Sequence, residues 1–86
     1  MEIQTICNRK AVIVYHKNRS YLFSYGTLII SKDIRTGKYW RHFKNRELLS
    51  LTTCRHVREF VDYDPCFNRK KSIKDQVMNL SYKKGE

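Results

Sequence analysis

The sequence is poor in proline, glycine and acidic residues, and it has no long apolar run. One proline and three glycines in 86 residues leave few breakers. Turns must then be short or built from Asn, Asp and Ser. Glycines at positions 26, 37 and 85 cannot make a P-loop or a dinucleotide-binding loop. The first apolar run, Ala11 to Tyr15, is far shorter than the ~18 residues of a membrane span, and no signal peptide is visible, so no membrane partner is expected. Three cysteines, Cys7, Cys54 and Cys66, are odd in number and widely spaced. They make a poor disulfide framework and fit a reducing, cytoplasmic setting.

Sites of chemistry are also lacking. No C-x-x-C and no H-x-x-x-H occurs among the potential ligands Cys7, His16, His42, Cys54, His56 and Cys66, so no metal and no cofactor is expected. Cys54 and His56 are two apart, about 200° around a helix, and point away from each other. That geometry opposes a nucleophile–base dyad. Residues 9 to 46 hold a single acid, Asp33. The acids Glu59, Asp62 and Asp64 read as a solvated helix end rather than a nuclease metal cluster. No catalytic residue is assigned, and the protein is expected not to be an enzyme.

What is present is a small, basic, aromatic chain. Eighty-six residues make one domain with a small core. The Ala11–Tyr15 run, rich in β-branched residues, predicts a central strand. Tyr21 to Tyr25 alternates and completes a hairpin across a polar turn at 16–20. Gly26 marks a bulge or a bend before a strand at Thr27–Ser31. Lys38 to Phe43 alternates again, with Tyr39, Arg41 and Phe43 on one face and Trp40 and His42 on the other. Glu2 to Cys7 is a weaker candidate strand. The fold class is α+β: an antiparallel sheet of three to five strands packed on one helix.

That helix is predicted over residues 50–62. Thr52 suits its N-cap, and Cys54, Val57, Phe60 and Val61 form its apolar stripe. His56 falls on the flank. The segment "DYDPC" ends it. Residues 67–86 form a basic segment with a second, weaker helix, opened by Ser72 with Asp75 three residues on. Its tail from Tyr82 is expected to fray.

Charge is unevenly placed. Of the 18 Lys and Arg, ten lie in residues 9–46 against one acid, in a chain of net charge +10. Residues 47–66 are net acidic, and 67–86 are basic again. The sheet half, 1–46, also holds most of the rings. An exposed sheet face mixing rings with Arg and Lys can hold single-stranded nucleic acid by stacking and phosphate contact. On this reading Arg19, Lys38, Arg41 and Lys44 contact phosphates, Tyr39 or Trp40 stacks on bases, and Arg69, Lys70 and Lys71 add a second patch. The alternative is a protein-binding inhibitor or adaptor that presents the same charge to an acidic protein surface of a host or phage protein, such as an anti-defence factor. A bare sheet edge would allow a homodimer by strand pairing.

Ser24, Tyr25 and Thr27, followed by Ser50, Thr52, Thr53, His56 and Phe60, give the pattern S-Y-x-T … S-x-T-T-x-x-H-x-x-x-F. This resembles a family of small bacteriophage and mobile-element proteins of unknown function. The likeness covers roughly residues 20 to 61. It implies a sheet-plus-helix fold and a bacterial host cell, and no activity or site residues.

Overall fold

The computed structural model describes residues 2–6, 10–62 and 64–84. Cys7, Arg9, Gly85 and Glu86 lie outside them. Among the described residues one sheet contains β1 (Glu2–Ile6), β2 (Ala11–His16), β3 (Arg19–Ser24), β4 (Thr27–Asp33), β5 (Tyr39–Arg41) and β6 (Ser81–Tyr82), in that spatial order. The first five strands pair antiparallel and β6 joins β5 in parallel. The sheet is therefore mixed and six-stranded, not antiparallel with three to five strands. β6 is two residues long and carries no periodic signal. It is ordered by its neighbour: the Lys83 N–H donates to the Arg41 carbonyl at 2.8 Å. The tail is held to at least this point instead of fraying at Tyr82.

Local chemistry explains the turns. Tyr25 and Gly26 both have positive φ, 50° and 81°, as a tight hairpin between twisted strands requires. Gly26 thus makes a turn. It also takes Tyr25 out of the Tyr21, Phe23 alternation. A bulge does occur, three residues later. Leu22 pairs with Ile30 and Phe23 with Leu28, so Ile29 is the extra residue. Both Ile29 and Ile30 enter the core, at 2% and 0% exposure.

Two helices lie on one face of the sheet: α1 (Leu51–Val61) and α2 (Ile73–Met78). The N-cap of α1 is Ser50, whose Oγ accepts the Thr53 N–H at 3.2 Å. Thr52, expected at that position, sits inside the first turn and is exposed. Asp62 closes the helix with φ of 32°. Ser72 caps α2 as expected, accepting the Asp75 N–H at 3.3 Å. The core gathers Leu22, Ile30, Leu49, Val57 and Val77 between the layers. The buried stripe of α1 is Thr53, His56, Val57 and Val61, while Cys54 and Phe60 are only partly covered. The stripe is rotated toward His56 because the sheet supplies that imidazole with a hydrogen-bond partner.

Candidate functional site

The helix-covered face of the sheet is closed on itself. Ser24 Oγ lies 2.7 Å from His56 Nδ1 and 3.2 Å from Thr53 Oγ1. Ser50 Oγ donates to Thr53 Oγ1 at 3.2 Å. The Tyr25 ring leans on His56 with centroids 5.5 Å apart. Five residues of the S-Y-x-T … S-x-T-T-x-x-H pattern therefore meet at one point. They fasten α1 to the β3–β4 corner. Burial, helped by the charge of Lys10, holds His56 below the usual imidazole range and keeps it neutral. Ser24 and His56 are at dyad distance, but both are sealed under α1, at 3% and 1% exposure.

A second buried knot sits nearby. Tyr39 Oη donates to Asp64 Oδ2 at 2.7 Å, and Lys32 Nζ reaches the same oxygen at 3.1 Å. Burial would raise the Asp64 carboxyl. The hydrogen bonds from the Cys66 N–H, Tyr39 and Lys32 outweigh it and hold the acid well below the usual range. Burial and then Asp64 push the Tyr39 phenol far above its ordinary value. Burial raises the Cys54 thiol too, which makes it a poor nucleophile at neutral pH.

The other face carries neither helix. Alternation turns Val12, Val14 and His16 of β2, and Arg19, Tyr21 and Phe23 of β3, away from α1. Register then aligns Ile3, Val14, Tyr21, Ser31, Trp40 and Ser81 in one row across the sheet. The next row holds His16, Arg19 and Asp33, with Lys38 joined to Asp33 through its carbonyl at 2.8 Å. Each ring thus follows a cation by two positions: Arg19 then Tyr21, Lys38 then Trp40. Two residues of strand span about 7 Å, and the two cation–ring pairs stand two strands, about 10 Å, apart. The Lys38 ammonium rests 4.0 Å from the centre of the Trp40 ring.

Beside the Arg19–Tyr21 pair lies a groove of about 370 Å³, floored by Val14, Tyr21, Phe23 and Leu28; Lys38 and Trp40 do not line it. His42 and Lys83 close one side. The Lys83 carbonyl can only accept, so His42 Nδ1 donates to it, at 2.9 Å. In the neutral ring, Nε2 then accepts the Ser31 hydroxyl at 2.6 Å. This chain of bonds seats the C-terminal segment beside the groove.

Of the residues singled out in the sequence, Arg19, Lys38 and Trp40 are together on the bare face. The others are not. Tyr39 is 5% exposed, edge-on to Phe67 and Phe60, with no ring face open to a base. Arg41 shares its parity: Nη1 is spent on the Phe43 carbonyl at 2.6 Å, and Nε is buried without a partner. Lys44 is exposed and lies 5.1 Å from the Tyr82 ring centre, off the groove. Arg69, Lys70 and Lys71 are exposed on the segment between α1 and α2, in the helical layer. Tyr21, Phe23 and Lys83 take their place. The alternation of "YLFSY" grouped the first two, but parity alone could not say which side they face.

Among the described residues, no group of three or more His, Cys, Asp or Glu is placed to hold a metal ion, and no helix is long and apolar enough to cross a membrane. Comparisons with curated proteins and with solved structures each give no match. A family model does match, over residues 1–78, and the chain accordingly belongs to a family of unknown function, DUF8033.

Proposed function

We propose that this is a non-catalytic protein that binds single-stranded nucleic acid on the bare face of its sheet. The observation that carries the reading is the register of Arg19–Tyr21 with Lys38–Trp40 beside an apolar groove. Tyr21, Phe23 and Trp40 are half-buried on that face, and a base that stacks on Trp40 would displace the ammonium groups of Lys38 and Lys83, which lie 4.0 and 5.7 Å from its centre. Base–ring stacking contributes about 1–3 kcal/mol per base and tolerates any sequence. Neither Arg19 nor Lys38 is in an ion pair with a described residue, so both remain for phosphates. The setting in a phage or mobile element, implied by the S-Y-x-T resemblance, is part of this proposal.

The chain contains one tryptophan, and it is Trp40. Its fluorescence therefore reports on this face alone. Titration with an unstructured oligonucleotide should quench it. The affinity should fall with salt at a log–log slope of about −0.7 for each phosphate engaged. Duplex of the same length should bind more weakly, since its bases are stacked and closed to the rings. No quenching at 50 mM salt, together with equal retention on single-stranded DNA at 50 and 500 mM, would overturn the reading.

A further inference from the structure

The groove does not end at the rings. It runs into a second cleft of about 460 Å³ at the turn end of the sheet, and the two share His16, Arg19, Tyr21 and Lys83. Four cations line the cleft: Lys17, Arg19, Arg35 and Lys83. Its one acid, Asp33, is partly engaged. Asp33 Oδ1 accepts the N–H groups of Arg35 at 2.9 Å and Thr36 at 3.4 Å, which shapes the turn that carries Arg35. The two turns are also tied together, since the Ile34 N–H donates to the Asn18 carbonyl at 2.9 Å. The walls that hold Lys17 and Arg35 are therefore fixed relative to each other. None of Lys17, Arg19 and Arg35 forms an ion pair with a described residue.

We infer that this cleft receives the terminal phosphate monoester of a single strand whose end base lies on Tyr21. The inference rests on the nucleic-acid reading above and gives it a polarity. A phosphodiester inside a strand carries one negative charge, whereas a monoester carries about 1.5 to 2 at pH 7. With Asp33 counted against the four cations, the side chains lining the cleft leave it a net charge of about +3, more than a single diester neutralises. The cleft also lies at the outer end of the groove, past the Arg19–Tyr21 pair. From there the strand continues along the groove over Tyr21 toward Phe23 and Leu28. Arg35 and Lys17, on turns, supply charge-assisted hydrogen bonds that no base-stacking residue could supply.

The test uses the full chain and three labelled oligonucleotides of one sequence: 5′-phosphorylated, 3′-phosphorylated and unphosphorylated at both ends. Anisotropy titrations at fixed salt should show one phosphorylated form binding about tenfold more tightly than the unphosphorylated one. Arg35→Gln should abolish that preference, and Lys17→Gln should reduce it, while affinity for the unphosphorylated strand changes little. Trp40→Phe should keep the preference. Three equal affinities, all measurable, would overturn the inference and leave the nucleic-acid reading standing. The inference also fails if both phosphorylated ends gain equally and Arg35→Gln leaves the gain intact. If none of the three binds, the underlying reading fails and this one with it.

Discussion

On the inner face of the sheet Lys32 is held 3.1 Å from Asp64, and His56 is 2.7 Å from Ser24. On the outer face Arg19 and Lys38 form no ion pair with a described residue: Arg19 sits across from His16 and Asp33, and Lys38 lies over the Trp40 ring. The same strands make both faces, with alternate residues assigned to each. The difference teaches where polar groups serve stability and where they remain open to a partner. Inside, Lys32, Asp64, Ser24 and His56 are each paired at the cost of mobility, because an unpaired polar group in a dry layer is penalised by several kcal/mol, and the buried Arg41 Nε is the exception. Outside, water meets that demand, and the cations keep their charge for something else.

This contrast can be broken in several ways. The largest effect should come from the inner face: Leu22→Ala, at a fully buried position, should cost about 2–5 kcal/mol in denaturant unfolding. Phe23→Ala, the next residue but on the outer face, should cost clearly less. Equal losses would mean that the outer face is also packed against something.

The next effect concerns the buried knot. Asp64→Ala removes the acceptor of Tyr39 and the partner of Lys32, and should cost about 2–3 kcal/mol. Its sign with pH is fixed. Because the folded Asp64 is held low, its contribution is present above about pH 3.9 and is lost as pH falls through the folded value. His56, also held low, contributes fully above about pH 6.5 and loses its share as pH falls below that. Stability should therefore decline in two stages as pH falls, the first beginning below about pH 6.5 and the second below about pH 3.9 and continuing into strong acid. His56→Gln should remove the upper one, and a decline that begins at the same pH in that variant would place the imidazole outside the core.

Smaller effects belong to the outer face. Tyr21→Ala and Trp40→Ala should each weaken single-strand binding by about 1–3 kcal/mol, seen by anisotropy, with little change in unfolding. Arg19→Gln should flatten the salt dependence by about 0.7 in slope, the share of one phosphate. The smallest effect is expected from the triple change of Arg69, Lys70 and Lys71 to Gln, which should leave groove binding nearly unaltered at matched salt. A loss as large as that from Trp40→Ala would move the interface to the helical layer and reverse the comparison.

Local chemistry made much of the fold readable. Ser72 with Asp75 signalled the cap of α2. The alternation in 21–25 and 38–43 separated Tyr39 from Trp40 correctly. Legibility ended where a residue's state depends on a distant partner. Thr52 and Ser50 both suit a cap by type, serine somewhat better, and the cap is Ser50. His56 looks like a boundary residue until Ser24, on another element, reaches its Nδ1. The Ile29 bulge breaks the period of two and puts both isoleucines inward, which no strict alternation predicts. Of the site residues, Arg19, Lys38 and Trp40 were named from the sequence, but in one set with Tyr39, Arg41 and Lys44, which lie elsewhere. Tyr21, Phe23 and Lys83 were not, since their placement depends on which face α1 covers.

The sequence by itself determined the alternation, the turns, the boundaries of α1 within a residue or two, and the concentration of positive charge in residues 9–46. These follow from steric and hydrogen-bonding preferences between neighbours in the chain. Tertiary structure decided which side of the sheet is dry, that Ser81 and Tyr82 become a strand, and which cations stay unpaired. A strand's two faces are equivalent in its own backbone, and only a helix laid against one of them makes the other a surface.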